Sequence, residues 1–283
     1  MILNVHQATF SYHKTPVFQH LNLTMDTQGI FCLFGPNGCG KSTLLECLLG
    51  YLTLDAGDIH WGQKSLKKMK PQEVARHTAY TPQNHVKSFP YTVLQVVLMG
   101  RAAYQGLFQS PSQEDEAMAW EALKAVNMTH YAHTPYTQLS GGESQLVMIA
   151  RALVQDTPVI IMDEPTAHLD FRHELIVLET IVKLVKEQGR SIIMSTHFPN
   201  HAFYFENAGV PIQVALMEKG DFTAQGSPRE VLNETNMRDT FGVRAHMVHY
   251  GEDTDNTYTQ LIPLSLLPRP STDGGDQGER MIT

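Results

Sequence analysis

The sequence has little of what marks secreted, membrane-spanning or nucleic-acid-binding proteins. Its 283 residues include three cysteines without a C-x-x-C pair, which argues against a disulfide framework or a zinc site. No apolar run approaches the length of about 18 residues that a membrane-spanning helix needs, and the N-terminus lacks the features of a signal peptide. A net charge of −8 argues against a basic nucleic-acid-binding surface. We therefore expect a soluble, cytosolic protein with no nucleic acid partner.

A glycine-rich stretch at residues 35–42, GPNGCGKS, fits the phosphate-binding pattern G-x-x-x-x-G-K-[S/T]. Its glycines let backbone N–H groups turn inward around a phosphate, where any Cβ would collide. The apolar run at 29–34 predicts a buried strand before this loop, and residues 41–49 predict a helix after it. The helix N-terminus offers N–H groups and a positive dipole end to the same phosphates. We predict that Lys41 reaches the β- and γ-phosphates and that Ser42 ligates Mg²⁺.

The rest of the pattern predicts an α/β fold. Residues 1–30 alternate in places between apolar and polar side chains, which suggests short antiparallel strands. The stretch from about 84 to 156 has helical character, and apolar runs at 158–163 and 191–196 predict buried core strands. A helix between these two strands, ending near Gly189, is predicted to carry on one face Leu175, Leu178, Val182 and Val185. Beyond about residue 226 the signals weaken.

Polar side chains follow several of the predicted strands directly. Gln83 follows one strand, Asp163 ends another with Glu164 next to it, and His197 follows a third. Because the carboxyl ends of strands in an open α/β sheet meet at one edge, we expect these groups to lie near the phosphate-binding loop. Asp163 would hold Mg²⁺ through its water shell, and Glu164 would act as general base toward the attacking water. Without the loop, the acidic pair could equally be a plain turn.

Residues 139–143, LSGGE, resemble the signature of ABC-transporter ATPases, which P-loop ATPases in general lack. The segment 163–166, DEPT, is similar to the Walker B segment of that family. The segment 167–170, AHLD, is similar to its D-loop, a contact between two copies, although the family usually begins this loop with Ser-Ala. This departure puts the detail of coupling across the dimer in doubt, and leaves the fold untouched.

Three single residues complete the resemblance. Tyr12 matches the aromatic residue that stacks on adenine, although a tyrosine in a strand is by itself more often a packing or surface residue. Gln83 matches the glutamine that links the nucleotide to the transmembrane partner, and His197 matches the switch histidine. Cys39 stands where the family usually has Ser or Ala; only its backbone is needed there. We expect its thiol to be partly exposed, with a pKa lowered by the helix N-terminus, and therefore reactive.

The resemblance implies a fold and a division of the chain. The implied fold is a P-loop NTPase core, a RecA-like parallel sheet flanked by helices, with an N-terminal antiparallel β subdomain and an inserted α-helical subdomain. The nucleotide-binding domain would span residues 1–226, with the helical subdomain at about 84–156. Residues 227–283 would form a C-terminal extension, and its composition suggests a disordered tail from about residue 269.

The resemblance also assigns the site residue by residue. The residues expected to act in catalysis are Glu164, His197, Lys41 and Gln83. Those expected to bind ATP are Tyr12, Gly35, Pro36, Asn37, Gly38, Cys39, Gly40, Lys41, Ser42, Thr43, Ser140, Gly141, Gly142 and Glu143. Those expected to hold Mg²⁺ are Ser42, Gln83 and Asp163, and Asp170 is expected at the dimer contact. The signature would cap the γ-phosphate of ATP held by a second copy, so that a homodimer encloses two ATP molecules.

Weaker similarities suggest the type of ABC protein. The segments 93–101, 169–174 and 196–202 look like those of ATPases from bacterial importers of iron–siderophore, haem, cobalamin and related chelates, including the molybdate/tungstate branch. The implied protein is a peripheral ATPase at the cytoplasmic face of the inner membrane. Its partners would be integral-membrane permease subunits and, indirectly, a substrate-binding protein.

Other functional classes remain for comparison. A soluble ABC ATPase of the iron–sulfur assembly type would differ mainly in lacking a membrane partner. An ABC ATPase of DNA maintenance would need a long coiled coil between the loop and the signature, and the roughly hundred residues between them leave no room for it.

Overall fold

The fold is described from a computed structural model, which covers residues 2–26, 28–83, 89–105, 109–167, 169–251 and 258–267. The strands are β1 (Ile2–Tyr12), β2 (Thr15–Asp26), β3 (Gly29–Phe34), β4 (Ala56–Trp61), β5 (Lys64–Ser65), β6 (Thr78–Thr81), β7 (Val159–Asp163), β8 (Ser191–Thr196), β9 (Ile212–Glu218), β10 (Asp221–Gly226), β11 (Val243–Tyr250) and β12 (Tyr258–Leu266). The α-helices are α1 (Lys41–Leu48), α2 (Pro71–His77), α3 (Val93–Leu98), α4 (Gln113–Ala125), α5 (Gly141–Leu153), α6 (Phe171–Gln188), α7 (Pro199–Asn207), α8 (Pro228–Val231) and α9 (Glu234–Phe241). Short 3₁₀ turns lie at Leu66–Lys68, Met99–Tyr104, Thr129–Tyr131 and Tyr136–Gln138.

A six-stranded sheet in the order β10-β9-β3-β8-β7-β6 forms the centre of the molecule. All neighbours from β9 to β6 run parallel, and β10 is an antiparallel edge strand. Strands β3, β7 and β8 are buried along their whole length, which explains why their central residues are continuously apolar rather than alternating.

Alternate residues of this sheet serve two separate cores. On one face, Phe31, Leu33 and Ile193 pack with α1 and with an antiparallel sheet of order β2-β1-β4-β5. On the other face, Cys32, Phe34 and related side chains pack with the helices from α3 to α7. The predicted α/β fold, with a parallel sheet between helices and an N-terminal antiparallel sheet, is confirmed. The first two strands are long rather than short, at 11 and 12 residues.

The helical region carries clear start signals. Thr92, Ser112 and Ser140 each cap a helix and form a reciprocal capping box with the third helical residue. Helices α3, α4 and α5 pack on one another through buried aliphatic side chains. Residues 84–88 and 106–108, inside the predicted helical subdomain, lie outside the described residues.

The chain past residue 226 has more structure than its weak sequence signals suggest. Helices α8 and α9 and the hairpin β11–β12 pack against the core, and the hairpin docks on α7. The side-chain amide of Asn200 exchanges hydrogen bonds with the backbone of Leu261 (2.9 and 3.2 Å), and that of Asn207 does so with the backbone of Thr259 (3.3 and 3.4 Å). The tail predicted from residue 269 lies outside the described residues, and the division at 226 stays a prediction.

One predicted helix face needs correction. Leu178 is buried in α6, but Leu175 is 37% exposed. The stripe that faces the core is centred on Val177, Ile181 and Leu184 together with Leu178. Val182 and Val185 are partly buried and pack against the same core, as predicted. Gly189 ends this helix in the left-handed conformation, as predicted (φ 63°). None of the helices in the described ranges is long and apolar enough to cross a membrane.

Candidate functional site

The carboxyl ends of four adjacent parallel strands meet at one edge of the central sheet. Phe34 at the end of β3 is in register with Thr196 at the end of β8, and Asp163 at the end of β7 is in register with Ser195. Gln83 follows the end of β6, which pairs with β7. The sheet therefore brings together the glycine-rich loop, the acidic pair, Gln83 and His197, as expected from the strand ends.

The glycine-rich loop is held by Lys41, whose side chain is 5% exposed. Its ammonium group donates hydrogen bonds to the carbonyl oxygens of Gly35 (2.8 Å) and Pro36 (3.1 Å). A Cβ on Gly35 would lie 2.2 Å from the backbone oxygen of Met217, so the protein itself excludes a side chain there. At Gly38 no atom of the described residues lies within 4 Å of such a Cβ. Glycine is favoured there by the backbone instead, because φ is +78°.

Helix α1 begins directly after this loop. Gly40, its N-cap residue, adopts φ +111°, and no side chain among the described residues caps the helix. Its first-turn N–H groups, on Lys41, Ser42 and Thr43, are the kind that bind anions at a helix N-terminus. The loop and the helix start thus form a positively polarised cradle with a buried ammonium group at its base.

Tyr12 ends β1 with a ring that is 45% exposed. Phe10 supports this ring edge-to-face, with 4.9 Å between the centroids. An aromatic ring held from one side and exposed on the other can stack on a planar ligand.

The Ser195 hydroxyl joins the two acidic residues. Its Oγ donates a 2.5 Å hydrogen bond to Asp163 Oδ1 and accepts one of 2.9 Å from the backbone N–H of Glu164. Ser195 is fully buried and Asp163 is 4% exposed, so the hydrogen bond between them is shielded from water. One hydroxyl therefore fixes the orientation of the carboxylate on one residue and the backbone of the next.

Glu164 has an unusual backbone and two polar neighbours. Its φ of +45° lies in the left-handed region, which costs a residue other than glycine about 1–3 kcal/mol. Gln83 Nε2 donates a 2.9 Å hydrogen bond to Glu164 Oε2, and His197 Nδ1 lies 3.2 Å from the same oxygen. The His197 contact lacks the geometry of a hydrogen bond, and this buried nitrogen has no other partner among the described residues. Backbone strain and unsatisfied polar groups of this kind concentrate at functional sites.

The signature forms the start of α5, in the helical region. Ser140 Oγ accepts a hydrogen bond from the Glu143 N–H (3.3 Å), and Glu143 Oε2 accepts one from the Ser140 N–H (2.8 Å). Hydrogen bonds from the Tyr131 hydroxyl and from the Ser140 N–H hold the pKa of Glu143 below its usual value. The described hydrogen bonds of Ser140 all stay within its own helix turn, and none of them joins the signature to the strand-end cluster.

The signature instead contacts the start of α6. A Cβ on Gly142 would lie 2.7 Å from Cγ of the His173 ring, so a side chain cannot fit there unless His173 moves. His173 is itself held by Asp170, the N-cap residue of α6, through both its backbone N–H (2.9 Å) and Nδ1 (2.8 Å). Within one copy, the residue expected at the dimer contact is thus linked to the signature. His168, in the same predicted D-loop, lies outside the described residues.

The expectation for Cys39 was wrong. Its side chain is 4% exposed, packed in the core between α1 and the antiparallel sheet, and burial raises the pKa of its thiol. The charge of nearby Lys41 lowers the pKa of this thiol, but by less than burial raises it. The sequence suggests a reactive thiol because a helix N-terminus follows, whereas the loop turns this side chain inward.

The residues at this edge suit a nucleotide and a magnesium ion. Buried Lys41 and the glycine cradle match a phosphate chain, and the three expected metal ligands offer oxygen donors, which Mg²⁺ prefers. Ser195, which orients the Asp163 carboxylate of this donor set, was missed from the sequence. Its position two residues before His197 and at the end of a buried strand could have indicated it.

The chain resembles known proteins along most of its length. A profile of the ABC transporter family matches residues 18–167. The petrobactin import ATP-binding protein FpuD of Bacillus anthracis is 38% identical over 84% of this chain and 86% of its own length. The molybdate import ATP-binding protein MolC of Haemophilus influenzae is 33% identical over 93% of this chain and 96% of its own.

Solved structures agree with these sequence similarities. A structure described as an inward-facing ABC transporter of metal-chelate type superposes with a TM-score of 0.79 and 32% identity, covering 93% of this chain and 97% of that one. A bacterial ABC transporter cassette solved as a dimer gives a TM-score of 0.69 and 25% identity, covering 80% of this chain and 99% of that one.

Proposed function

Because this chain belongs to the ABC transporter family and is an ATP-binding subunit with ATPase activity, we propose that it powers the import of a metal chelate through a membrane permease. The observation that carries the proposal is the cluster of Gln83, Glu164 and His197 beside the glycine-rich loop. The similarity to a petrobactin importer and to a transporter of metal-chelate type supports the substrate class.

The chain's own residues divide the work of binding ATP. Tyr12 stacks on the adenine ring, while the loop N–H groups and Lys41 hold the phosphates. Lys41 exchanges carbonyl partners within the loop for phosphate oxygens when ATP binds. The phosphates therefore enter a site whose cation is already in place and already buried.

Ser42, Gln83 and Asp163 would hold Mg²⁺, with Asp163 acting through the water shell. When bound, this ion neutralises charge that develops on the phosphates. Ser195 keeps the Asp163 carboxylate in one orientation through its 2.5 Å hydrogen bond.

Glu164 is the general base that orients and polarises the attacking water. Its strained backbone, held by Ser195, aims its carboxylate at the side of the site where Gln83 and His197 lie. His197 helps to align the same water. Gln83 connects the base to residues 84–101, the region that we propose contacts the permease.

A second copy of the chain completes each site. Ser140, Gly141 and Gly142 open α5 as a second anion-binding helix terminus. In a head-to-tail homodimer this terminus caps the γ-phosphate of ATP on the partner copy, with Asp170 at the contact. ABC transporter cassettes form dimers, as the related bacterial cassette does.

The permease contacts the lobe that includes Gln83 and residues 84–101, and the chain lies as a peripheral subunit on the cytoplasmic face of the membrane. A substrate-binding protein delivers the cargo from the other side. The transported compound does not touch this chain, so relatives for both chelates and molybdate are expected among its similar proteins.

Purification from membranes in mild detergent tests the proposal. We expect integral-membrane permease subunits to copurify with the chain, and ferric siderophore with its binding protein to stimulate ATP hydrolysis by the reconstituted complex. Stimulation by molybdate alone would move the proposal to the oxyanion branch. Copurification with iron–sulfur assembly proteins and no permease would replace it with the soluble assembly role.

A further inference from the structure

The turn that contains His197 is closed by the side chain of the preceding residue. Thr196 Oγ1 accepts a 3.1 Å hydrogen bond from the backbone N–H of Phe198, so this hydroxyl bridges the residues on either side of His197. Thr196 is 2% exposed, which shields this bond from competition with water. The direction in which His197 leaves the strand therefore depends on where the Thr196 hydroxyl is held.

A second histidine holds that hydroxyl. His201 lies in the first turn of α7, is 3% exposed, and places its Nδ1 3.0 Å from Thr196 Oγ1. Its other ring nitrogen, Nε2, lies 2.7 Å from Glu174 Oε1. A single arrangement of protons satisfies every group: Thr196 donates to Nδ1, and Nε2–H donates to the Glu174 carboxylate.

The surroundings favour that neutral form of His201. Burial lowers the pKa of its imidazole most strongly, and nearby His197 lowers it as well. The hydrogen bond and the charge of Glu174 raise it, but the net shift of the pKa is downward. A charged ring would have to donate from both nitrogens, and the Thr196 hydroxyl would then need a different acceptor for its own proton.

Glu174 brings a third segment into this chain of hydrogen bonds. It lies in the first turn of α6, four residues after the helix N-cap Asp170. The start of α6 is also where His173 packs on the signature glycine Gly142. The Glu174–His201–Thr196 chain thus joins the D-loop helix to the turn that carries His197.

We propose that His201 is a positioning residue for ATP hydrolysis: through Thr196 it fixes the turn that presents His197 to Glu164, and through Glu174 it ties that turn to the D-loop helix. The proposal rests on the proposed function, in which Glu164 and His197 align the attacking water. A displacement of about 1 Å in a catalytic group can cost about a hundredfold in rate, so a buried hydroxyl one residue away has leverage on the reaction.

A purely structural role for His201 would be to anchor α7, and Asn207 provides the matched control. Asn207 lies on the same helix and makes two hydrogen bonds to Thr259, but it has no described contact with the His197 turn. Asn207→Ala should therefore lower stability and leave the turnover number for ATP unchanged.

The test compares variants of the whole chain under saturating MgATP. Thr196→Val keeps the shape but removes the hydroxyl, and His201→Leu removes both ring nitrogens. We expect kcat to fall about 10- to 100-fold in both, with KM for ATP changed less than about threefold, because the nucleotide contacts are intact. Thr196→Ser restores the hydroxyl and should recover most of the activity. Equal kcat in Thr196→Val and Thr196→Ser would overturn the proposal.

A spectroscopic measurement gives a readout without turnover. In long-range ¹H–¹⁵N spectra, with His197 assigned by its replacement with Gln, we expect His201 to show a protonated Nε2 and an unprotonated Nδ1. The His197 signals should shift in Thr196→Val and stay in place in Asn207→Ala. Unchanged His197 signals in Thr196→Val would contradict the inference. If the wild-type chain hydrolysed no ATP, the proposed function would fail, and these spectra alone would still decide whether Thr196 controls His197.

Discussion

Gln83 Nε2 donates a 2.9 Å hydrogen bond to Glu164 Oε2, although the two residues are 81 positions apart in the chain. They meet because β6 and β7 are adjacent parallel strands that end at the same edge of the sheet. The side chain expected to report on the permease is thus in direct contact with the side chain expected to act as base. Coupling between the permease and the ATP site would be reciprocal. A shift of Gln83 changes the surroundings of Glu164, and a shift of Glu164 changes those of Gln83.

Replacement of the base should separate ATP binding from hydrolysis. Glu164→Gln keeps the size of the side chain and an acceptor for Gln83, but it cannot take a proton from water. We expect hydrolysis to fall by roughly 10²–10⁴-fold while an ATP-bound dimer accumulates. Size-exclusion chromatography with light scattering and a phosphate-release assay check both effects. Glu187→Gln, at an exposed position of α6, serves as the control, and near-normal turnover in Glu164→Gln would remove Glu164 from its role.

Loss of the Ser195 hydroxyl should lower both the stability of the protein and the affinity of the site for Mg²⁺. Ser195→Ala leaves the partly buried Glu164 N–H without its acceptor, which should lower the free energy of unfolding by about 1–3 kcal/mol. It also frees the Asp163 carboxylate, so the Mg²⁺ concentration for half-maximal hydrolysis should rise. Ser191→Ala, in a buried position at the other end of β8, is the comparison. An unchanged magnesium requirement in Ser195→Ala would argue that Asp163 does not depend on this hydroxyl.

The three cysteine thiols should be unreactive toward thiol reagents in the folded protein. Cys32, Cys39 and Cys47 are all at most 4% exposed, and burial raises the pKa of each, to about 12 for Cys32 and Cys47. At pH 8 their thiolate fractions are therefore small, and a colorimetric disulfide reagent should titrate three thiols only after guanidinium is added. A thiol that reacts rapidly in native protein and disappears in Cys39→Ala would contradict this picture of the loop.

The second signature glycine should matter for packing as well as for phosphate binding. Gly142→Ala forces its methyl group against the His173 ring, and overpacking of this kind costs about 1–3 kcal/mol. Gly141→Ala has no described atom within 4 Å of the added carbon and should not lower stability. Urea unfolding checks both, and the cost of Gly142→Ala should shrink in a His173→Ala background. Equal costs in the two backgrounds would show that His173 is not the obstacle.

Much of this arrangement could be predicted because it follows from local patterns. Short continuous apolar runs identify β3, β7 and β8 as buried parallel strands, and the polar residues at and after their ends then share one edge of the sheet. The glycine-rich loop and the LSGGE segment depend on spacing alone. The clustering of Gln83, Glu164 and His197 could therefore be predicted from the sequence.

What the sequence could not supply depends on how elements pack. Cys39 follows a loop pattern that suggests exposure, but the turn of the loop buries it against the N-terminal sheet. Leu175 fits a helical stripe but is exposed near the start of α6, whereas Leu178 on the same stripe is buried. Ser195 lies beside Asp163 because of strand register, and only its position at the end of a buried strand hints at this. His201 matters through a contact between α6 and α7, which leaves no signal in the sequence spacing.

The central claim is that each ATP is shared between two copies, and complementation tests it most directly. Ser140→Arg places a long cation in a gap that must close to about 3 Å, so dimerisation and hydrolysis should fail while ATP binding survives. Lys41→Ala should instead weaken ATP binding itself, because the cation that faces the β- and γ-phosphates is gone.

The decisive measurement is ATP hydrolysis by an equimolar mixture of these two inactive variants. A mixed dimer contains one site with an intact loop and an intact signature, and one site with both broken. We predict that activity reappears on mixing, at up to about a quarter of the wild-type rate if half of the dimers are mixed and each has one working site. No activity above that of the separate variants, or normal hydrolysis by Ser140→Arg alone, would contradict the shared site.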